Sequence, residues 1–434
     1  MNCIPAPKKW PEFAGMVRLR YAFMAVLLGL AACGIADSES AEQANSREYG
    51  LHFELRLIPT TSSVEVTMKL KQRRDLLREL SFSATGLHDI SGDDTLTIRN
   101  GTVRWRPPAT GGTVKWRVIV QSERGGGYDA WMGSQWGLFR AEDVIPRARS
   151  RTVKGARART TLSFRLPADW SAITEYSSRN NPILVEHADR RLALPTGWIA
   201  VGKLGVRRET IAGVRVAVAA PEGQDVRRMD ILALLNWALP ELVDMLPDAL
   251  PRLTIVGAGD PMWRGGLSAP ASLFLHASRP MISENATSTL LHEVMHTAIG
   301  LRAVPGYDWI IEGFAEYYSI ELLHRGRAIS NDRRETAFED QAEWSRKARA
   351  LCGRASGGPR TALAVTVLAA LDKDLRQRTR GKVVLDDLLQ SLVREQPRVD
   401  ADVMNMHVEK LTGARSAVLE IGNLPGCEPR PNGY

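Results

Sequence analysis

The sequence predicts an α+β protein with a β-rich N-terminal part, a mixed middle and a helical end. Three observations carry this. From Leu51 to Leu166, apolar and polar residues alternate in short runs broken by Gly and Pro clusters. From Trp198 to His324, short apolar strands are interleaved with longer stripes at helical spacing. After His324 the helical pattern dominates. At 434 residues the chain can bury more than one core, and 44% hydrophobic with 24% charged residues is ordinary for a globular protein. The formal charge is +8, of which residues 1–32 contribute +3 (four basic residues and Glu12). The remaining surplus is mild. It suits an anionic membrane surface and makes no case for a nucleic-acid partner.

In chain order, Met16-Val17-Arg18-Leu19-Arg20 is basic, and Tyr21 to Ala32 is an apolar run too short to span a bilayer as a stable helix. It ends in Leu30-Ala31-Ala32-Cys33, which resembles the lipobox of bacterial lipoproteins. That resemblance implies a leader over 1–33, cleavage and lipidation at Cys33. With Gly34 rather than Asp next, it also implies the outer membrane, facing the periplasm, rather than the inner one. An ordinary secretory signal cleaved nearby is the alternative, and Met1 to Gly15 has no leader character, so Met16 is a candidate start. Residues 34–48 are small and polar and read as a flexible tether.

Residues 49–198 form the predicted β-rich domain, a sandwich or saddle, with strands at Leu51–Ile58, Val64–Leu70, Thr102–Arg106, Thr113–Val120 and Thr161–Leu166. Within it, Arg147, Arg149, Arg151, Lys154, Arg157 and Arg159 make a basic run. It reads either as a contact for anionic lipid or lipopolysaccharide, or as a solvated strand edge or loop. His52, His88 and His187 stand alone. Residues 199–350 hold strands at Val214–Val218, Leu253–Val256 and Ser272–His276, and a helix over Asp225–Met245 expected to break near Pro240. The helical domain, 351–434, is expected to follow a helix at Glu339–Leu351 and to hold Arg360–Arg378, Leu385–Arg394 and Ala401–Leu411. Cys352 and Cys427 are the two cysteines left for the mature body, either disulfide-bonded after export or separate thiols.

The stretch that organises the chain is Leu290-Leu291-His292-Glu293-Val294-Met295-His296, with Trp309 to Tyr318 behind it. Histidines four apart lie one above the other on a helix face, so both imidazoles reach one zinc ion. Glu293 points to the neighbouring side, as a base for water. A helix over Asp308–His324 would turn Glu312 toward the first helix as third ligand. Ser283, Asn285 and Thr287 are the cap candidates for the histidine helix.

With these residues in place, the chain resembles the glycyl aminopeptidase family of bacterial gluzincin metallopeptidases, related to the aminopeptidase N family. The resemblance rests on His292-Glu293-x-x-His296 and Trp309-x-x-Glu312-Gly313-Phe314-Ala315-Glu316-Tyr317-Tyr318. Weaker support comes from Gly265-Gly266-Leu267, Leu385-Asp386-Asp387-Leu388-Leu389 and Tyr128-Asp129-Ala130. It implies a thermolysin-like catalytic domain, a zinc metallopeptidase with one Zn2+ on His292, His296 and Glu312, Glu293 as general base, and Glu316 behind a ligating imidazole. A peptide or protein is the implied substrate. The C-terminal PDZ domain often found in that family is not expected here. Three departures stand out. The gap from His296 to Glu312 is shorter than usual, with Arg302–Asp308 the place of shortening. Ser268-Ala269-Pro270 stands where the family carries a glutamate for the substrate's α-amino group. No tyrosine precedes the helix at Arg360, leaving Arg360, Tyr307, Tyr317 or His276 as candidates to stabilise the oxyanion or contact substrate. Exo- and endopeptidase action both stay open, as does a degenerate zincin kept as an envelope peptide-binding or scaffold lipoprotein.

Overall fold

The structure is a computed structural model that describes residues 47–176, 181–186, 191–353, 356–395 and 398–428, and every structural statement below concerns these residues. Cys33, the leader, residues 34–46 of the tether and His187 lie outside them. From Tyr49 onward the chain is one compact unit.

The N-terminal part holds three sheets. In the six-stranded sheet the order is Ile183–Val185, Arg157–Arg165, Glu48–Ile58, Ser63–Lys71, Gly111–Ile119 and Leu87–Gly92. Alternation sets its two faces: Tyr49, Leu51, Phe53, Leu55 and Leu57 are buried, and the residues between them are not. A four-stranded sheet of Ala148–Thr152, Leu77–Ser83, Thr102–Trp105 and Leu96–Arg99 shares one core with it, filled by Phe53, Met68, Trp105 and Trp116. Of the basic run, Arg149 and Arg151 therefore fall on one strand and Arg157 and Arg159 on another, in two different sheets.

The third sheet runs Ser171–Ile173, Trp198–Gly202, Trp136–Arg140, Gly127–Met132 and Gln121–Arg124. It packs on the middle of the chain through a junction core in which the rings of Trp198 and Phe274 lie 5.4 Å apart. Trp198–Gly202, at the expected boundary, pairs with the N-terminal strands Trp136–Arg140 and Ser171–Ile173. All five of its residues are buried, and a strand covered on both faces has no alternation to announce its partners.

The middle sheet has the order Leu204–Ile211, Val214–Pro221, Arg252–Ala258, Ser272–His276 and Gly266–Ala269. Its two central pairings are parallel and its outer two antiparallel, which leaves Gly266–Ala269 as an edge. Helix α1 (Arg228–Met245) covers it and runs unbroken through Pro240. The residues around the proline, Ala238, Leu239 and Leu242, are buried, and that burial outweighs the lost backbone hydrogen bond.

The longer helices that follow are α2 (Thr289–Ile299), α3 (Trp309–Arg325), α4 (Asn331–Ser345), α5 (Pro359–Thr379), α6 (Leu385–Glu395) and α7 (Ala401–Thr412). They share one continuous apolar core with the middle sheet. Helix α4 begins and ends earlier than Glu339–Leu351, because Ser330 caps it by accepting from the Arg333 N–H and few of its residues are buried. A nearly all-polar helix carries no stripe by which to place its ends. Among the described residues no helix is long and apolar enough to cross a membrane.

Candidate metal centre

Helix α2 starts at Ser288, whose hydroxyl accepts from the Leu291 N–H, and stops at Gly300 in the left-handed region, φ 56°. Ser283, Asn285 and Thr287 do not cap it. They bond to one another in the turn ahead. Leu290, Leu291, Val294, Met295 and Ile299 are buried, which turns His292 and His296 toward α3. Helix α3 answers with Glu312 and Glu316, also one turn apart. The loop between, Arg302–Asp308, is pinned where Arg302–Ala303 pairs with Arg398–Val399 and the Val304 N–H donates to the Val399 carbonyl at 2.8 Å. The short connection thus still delivers Glu312 to the histidines.

His292 Nε2 lies 3.0 Å from His296 Nε2 and 3.4 Å from Glu312 Oε2, and His296 Nε2 lies 3.5 Å from Glu312 Oε1. Zinc arms of about 2.05 Å in a tetrahedron give ligand–ligand edges of about 3.3 Å. Two imidazole nitrogens, each facing one oxygen of the same carboxylate at such a distance, match that spacing. Among the described residues, these three are the group of His, Cys, Asp and Glu side chains that could hold an ion.

Glu316 Oε2 accepts from His292 Nδ1 at 2.9 Å, leaving the Nε2 lone pair for a cation. The other oxygen, Oε1, accepts from Nε2 of Gln341 on α4 at 3.4 Å, and Gln341 is buried. Gln341 is a supporting residue that the sequence reading missed. It sits in a polar helix with no motif around it, and only the fold brings it to Glu316. Burial of His292 disfavours its cation, but Glu312 and Glu316 more than reverse this and raise its pKa to about 10 in the metal-free protein. Burial likewise opposes ionisation of Glu312, and hydrogen bonds from His292 and His296 prevail, holding its carboxyl well below the usual range. A buried site that is this hungry for positive charge suits a metal cation.

Glu293 is buried on the other flank of α2, against the sheet edge. A Cβ on Gly266 would stand 2.6 Å from Glu293 Cγ and 2.8 Å from Thr289 Cγ2, so only glycine lets the strand approach the carboxylate this closely. The His276 N–H donates to the Gly265 carbonyl, and by alternation the backbone groups of Gly266 and Ser268 point to the open side. Ser268 shares the face of Gly266.

The other candidates make the following contacts. His276 is buried with Nδ1 on Ser278 and Nε2 aimed at Asp260 Oδ1, 3.5 Å away. Tyr317 packs on Phe338, ring centroids 5.3 Å apart. Arg360 donates through Nε to the Ala350 carbonyl and lies over Gly353, to whose backbone Tyr307 is bridged. Tyr307 itself is buried in the helical core. Cys352 and Cys427 form a disulfide, Cα–Cα 5.0 Å, that ties this loop to the chain's end. Trp263, just before the edge strand, lines a cavity of about 830 Å³ with Arg124, Tyr128, Asp260 and Arg264.

No family profile and no curated protein matches the sequence. The fold, however, is similar to solved structures. An aminopeptidase N family protein from Idiomarina loihiensis is 15% identical, with a TM-score of 0.63 over 87% of this chain and 76% of that one. Legionella pneumophila aminopeptidase A, in complex with aspartic acid, is 11% identical with a TM-score of 0.53 over 85% of this chain. This chain spans about half of that enzyme's length, 48%. Yeast LTA4 hydrolase, in complex with bestatin, is 13% identical with a TM-score of 0.53 over 89% of this chain and 70% of that one. The likeness shows the fold: an α+β chain with a β-rich N-terminal domain and a helical C-terminal domain.

Proposed function

We propose that this chain is a single-zinc peptidase of the cell envelope, acting on peptides laid along the edge strand Gly266–Ala269. The observation that carries the reading is the tetrahedral spacing of His292, His296 and Glu312 beside a Glu293 carboxylate held against that edge. Zinc, when bound by these three residues, acidifies water and polarises a carbonyl oxygen. Glu293 then accepts the proton of the attacking water and returns it to the leaving nitrogen as the peptide bond breaks. Glu316 fixes the ring and tautomer of His292. The open backbone groups of Gly266 and Ser268 pair with an extended substrate and hold its scissile carbonyl over the site.

Position 268 carries a hydroxymethyl group where the resembled family has a carboxylate. An ammonium brought there lacks that carboxylate to offset its desolvation, so a free N-terminus is not required and cuts fall both at ends and within chains. The lipobox-like Leu30–Cys33 supports a lipid anchor on Cys33 in the outer membrane, facing the periplasm. The Cys352–Cys427 disulfide suits such an oxidising compartment.

The test is a mixed peptide pool digested by the zinc-loaded chain and read by mass spectrometry, with each peptide present free and N-acetylated. Cleavage of both forms supports the reading. Cleavage of free forms alone would make the protein a strict aminopeptidase. Peptide binding without cleavage would make it a degenerate zincin.

A further inference from the structure

The solvent face of the four-stranded sheet is an arginine plane, and we propose that it binds the phosphate headgroups of an anionic membrane. Residues directly opposite in antiparallel strands share a face. Arg149 stands opposite Ser81 and Ser81 opposite Arg104, while Arg151 stands opposite Glu79. Arg99 lies opposite Thr102 on the next strand, and Arg106 extends the row of Arg104 to reach Glu79. Arg147 continues the alternation of Arg149 and Arg151 just before its strand, and all six arginines are exposed. The opposite face of the same strands, with Leu80, Phe82, Val103 and Trp105, is buried in the N-terminal core. Half of this plane was visible as a basic run in the sequence. The other half, Arg99, Arg104 and Arg106, comes from a distant hairpin and joins it only through strand pairing.

The strands of this face carry one acid, Glu79, which Arg104 and Arg106 already share. The six-stranded sheet of the same domain provides the contrast. There cross-strand pairs, Arg56 with Glu65, Arg117 with Asp89 and Arg165 with Glu54, neutralise much of the charge. One face is laced with ion pairs and the other is left positive. Guanidinium groups match phosphate oxygens in a planar, two-pronged geometry that lysine lacks. A flat array of them fits a flat array of headgroups.

The leader argues for lipid over other polyanions. If Cys33 is lipidated, as proposed above, the 15 residues to Glu48 reach about 50 Å, so the arginine plane stays within range of a bilayer. An acyl anchor and a basic patch together hold a protein at a membrane far better than either alone.

The experiment uses the full chain with Cys33→Ser, so that no lipid contributes and failure of the anchor reading cannot be mistaken for failure of this one. Binding is measured to vesicles containing phosphatidylglycerol and to vesicles of phosphatidylcholine alone, which report the apolar leader. The triple variant Arg104→Gln, Arg149→Gln, Arg151→Gln is expected to lose roughly 100-fold in affinity for the anionic vesicles, about fivefold per arginine. Its binding to neutral vesicles and its zinc content should not change. The equivalent lysine triple should keep most of the binding, and single Arg149→Gln should lose about fivefold. A control triple on the ion-paired face, Lys69→Gln, Lys115→Gln, Arg117→Gln, removes the same charge and should lose much less. Equal losses from the two glutamine triples, or no loss from the first, would overturn the proposal. So would tighter arginine-dependent binding to duplex DNA than to the vesicles.

Discussion

On one side of the cleft, helices α2 and α3 set two pairs of residues one turn apart against each other. His292, His296, Glu312 and Glu316 meet within hydrogen-bond distances, and Gln341 steadies the outermost of them. On the other side, the edge strand offers glycine and serine where the resembled family places a carboxylate, and His276, Tyr317 and Arg360 are engaged elsewhere. The side proposed to hold a metal is complete to its supporting contacts, while the side proposed to select a substrate is built mainly of backbone. Metal chemistry needs a fixed set of donors at fixed spacing, whereas an extended peptide can be held by main-chain pairing with few side chains. Substitutions should therefore act strongly and uniformly on the first side and selectively on the second.

The largest expected effect is from Glu312→Gln. Removing the anionic ligand should abolish stoichiometric zinc and with it hydrolysis, read by equilibrium dialysis and a peptide assay; retention of zinc at parental affinity would show that the third ligand lies elsewhere. Glu316→Gln should be milder, weakening zinc by roughly 10–100-fold, while parental affinity would make Glu316 an ordinary helix charge. Acidity gives a third probe. His292 titrates at about 10 in the metal-free protein, so it carries a proton at neutral pH that zinc must displace. Zinc affinity should rise with pH by about tenfold per unit for one released proton, up to about pH 10. A competition titration giving a flat pH profile near neutrality would contradict this. The smallest effect, and the most selective, belongs to Ser268→Glu: zinc affinity unchanged, but free peptides preferred over N-acetylated ones by several-fold, on the order of 1–2 kcal/mol for a partly exposed ion pair. Unchanged selectivity would place Ser268 away from the substrate's amino group.

How much of this was legible in the sequence follows the same division. His292, Glu293, His296, Glu312 and Glu316 were readable because helical spacing is local and each residue type is demanded by its chemistry. The fold class was readable because alternation and helical stripes differ in period. Partners made by tertiary packing were not. Gln341 supports Glu316 from a helix with almost no apolar pattern, and Trp198–Gly202 hid its N-terminal pairing because both its faces are buried. The packing partners of Arg360, Tyr317 and His276, namely the Ala350 carbonyl, Phe338 and Asp260, come from other segments of the chain and carry no signal in the sequence. Ser288 takes the cap for which Ser283, Asn285 and Thr287 are each a candidate in the sequence, since those three satisfy one another first.

The central claim is that metal binding and proton transfer are separable duties of neighbouring residues on α2. It is tested most directly by Glu293→Gln, with zinc content and peptide hydrolysis measured on the same sample. The account predicts one bound zinc per chain at near-parental affinity and hydrolysis reduced by roughly 100-fold to 10,000-fold, the range for loss of a positioned acid–base group. Parental turnover by the zinc-loaded variant would contradict it, because no base would then be needed at the position where the edge strand and α2 converge.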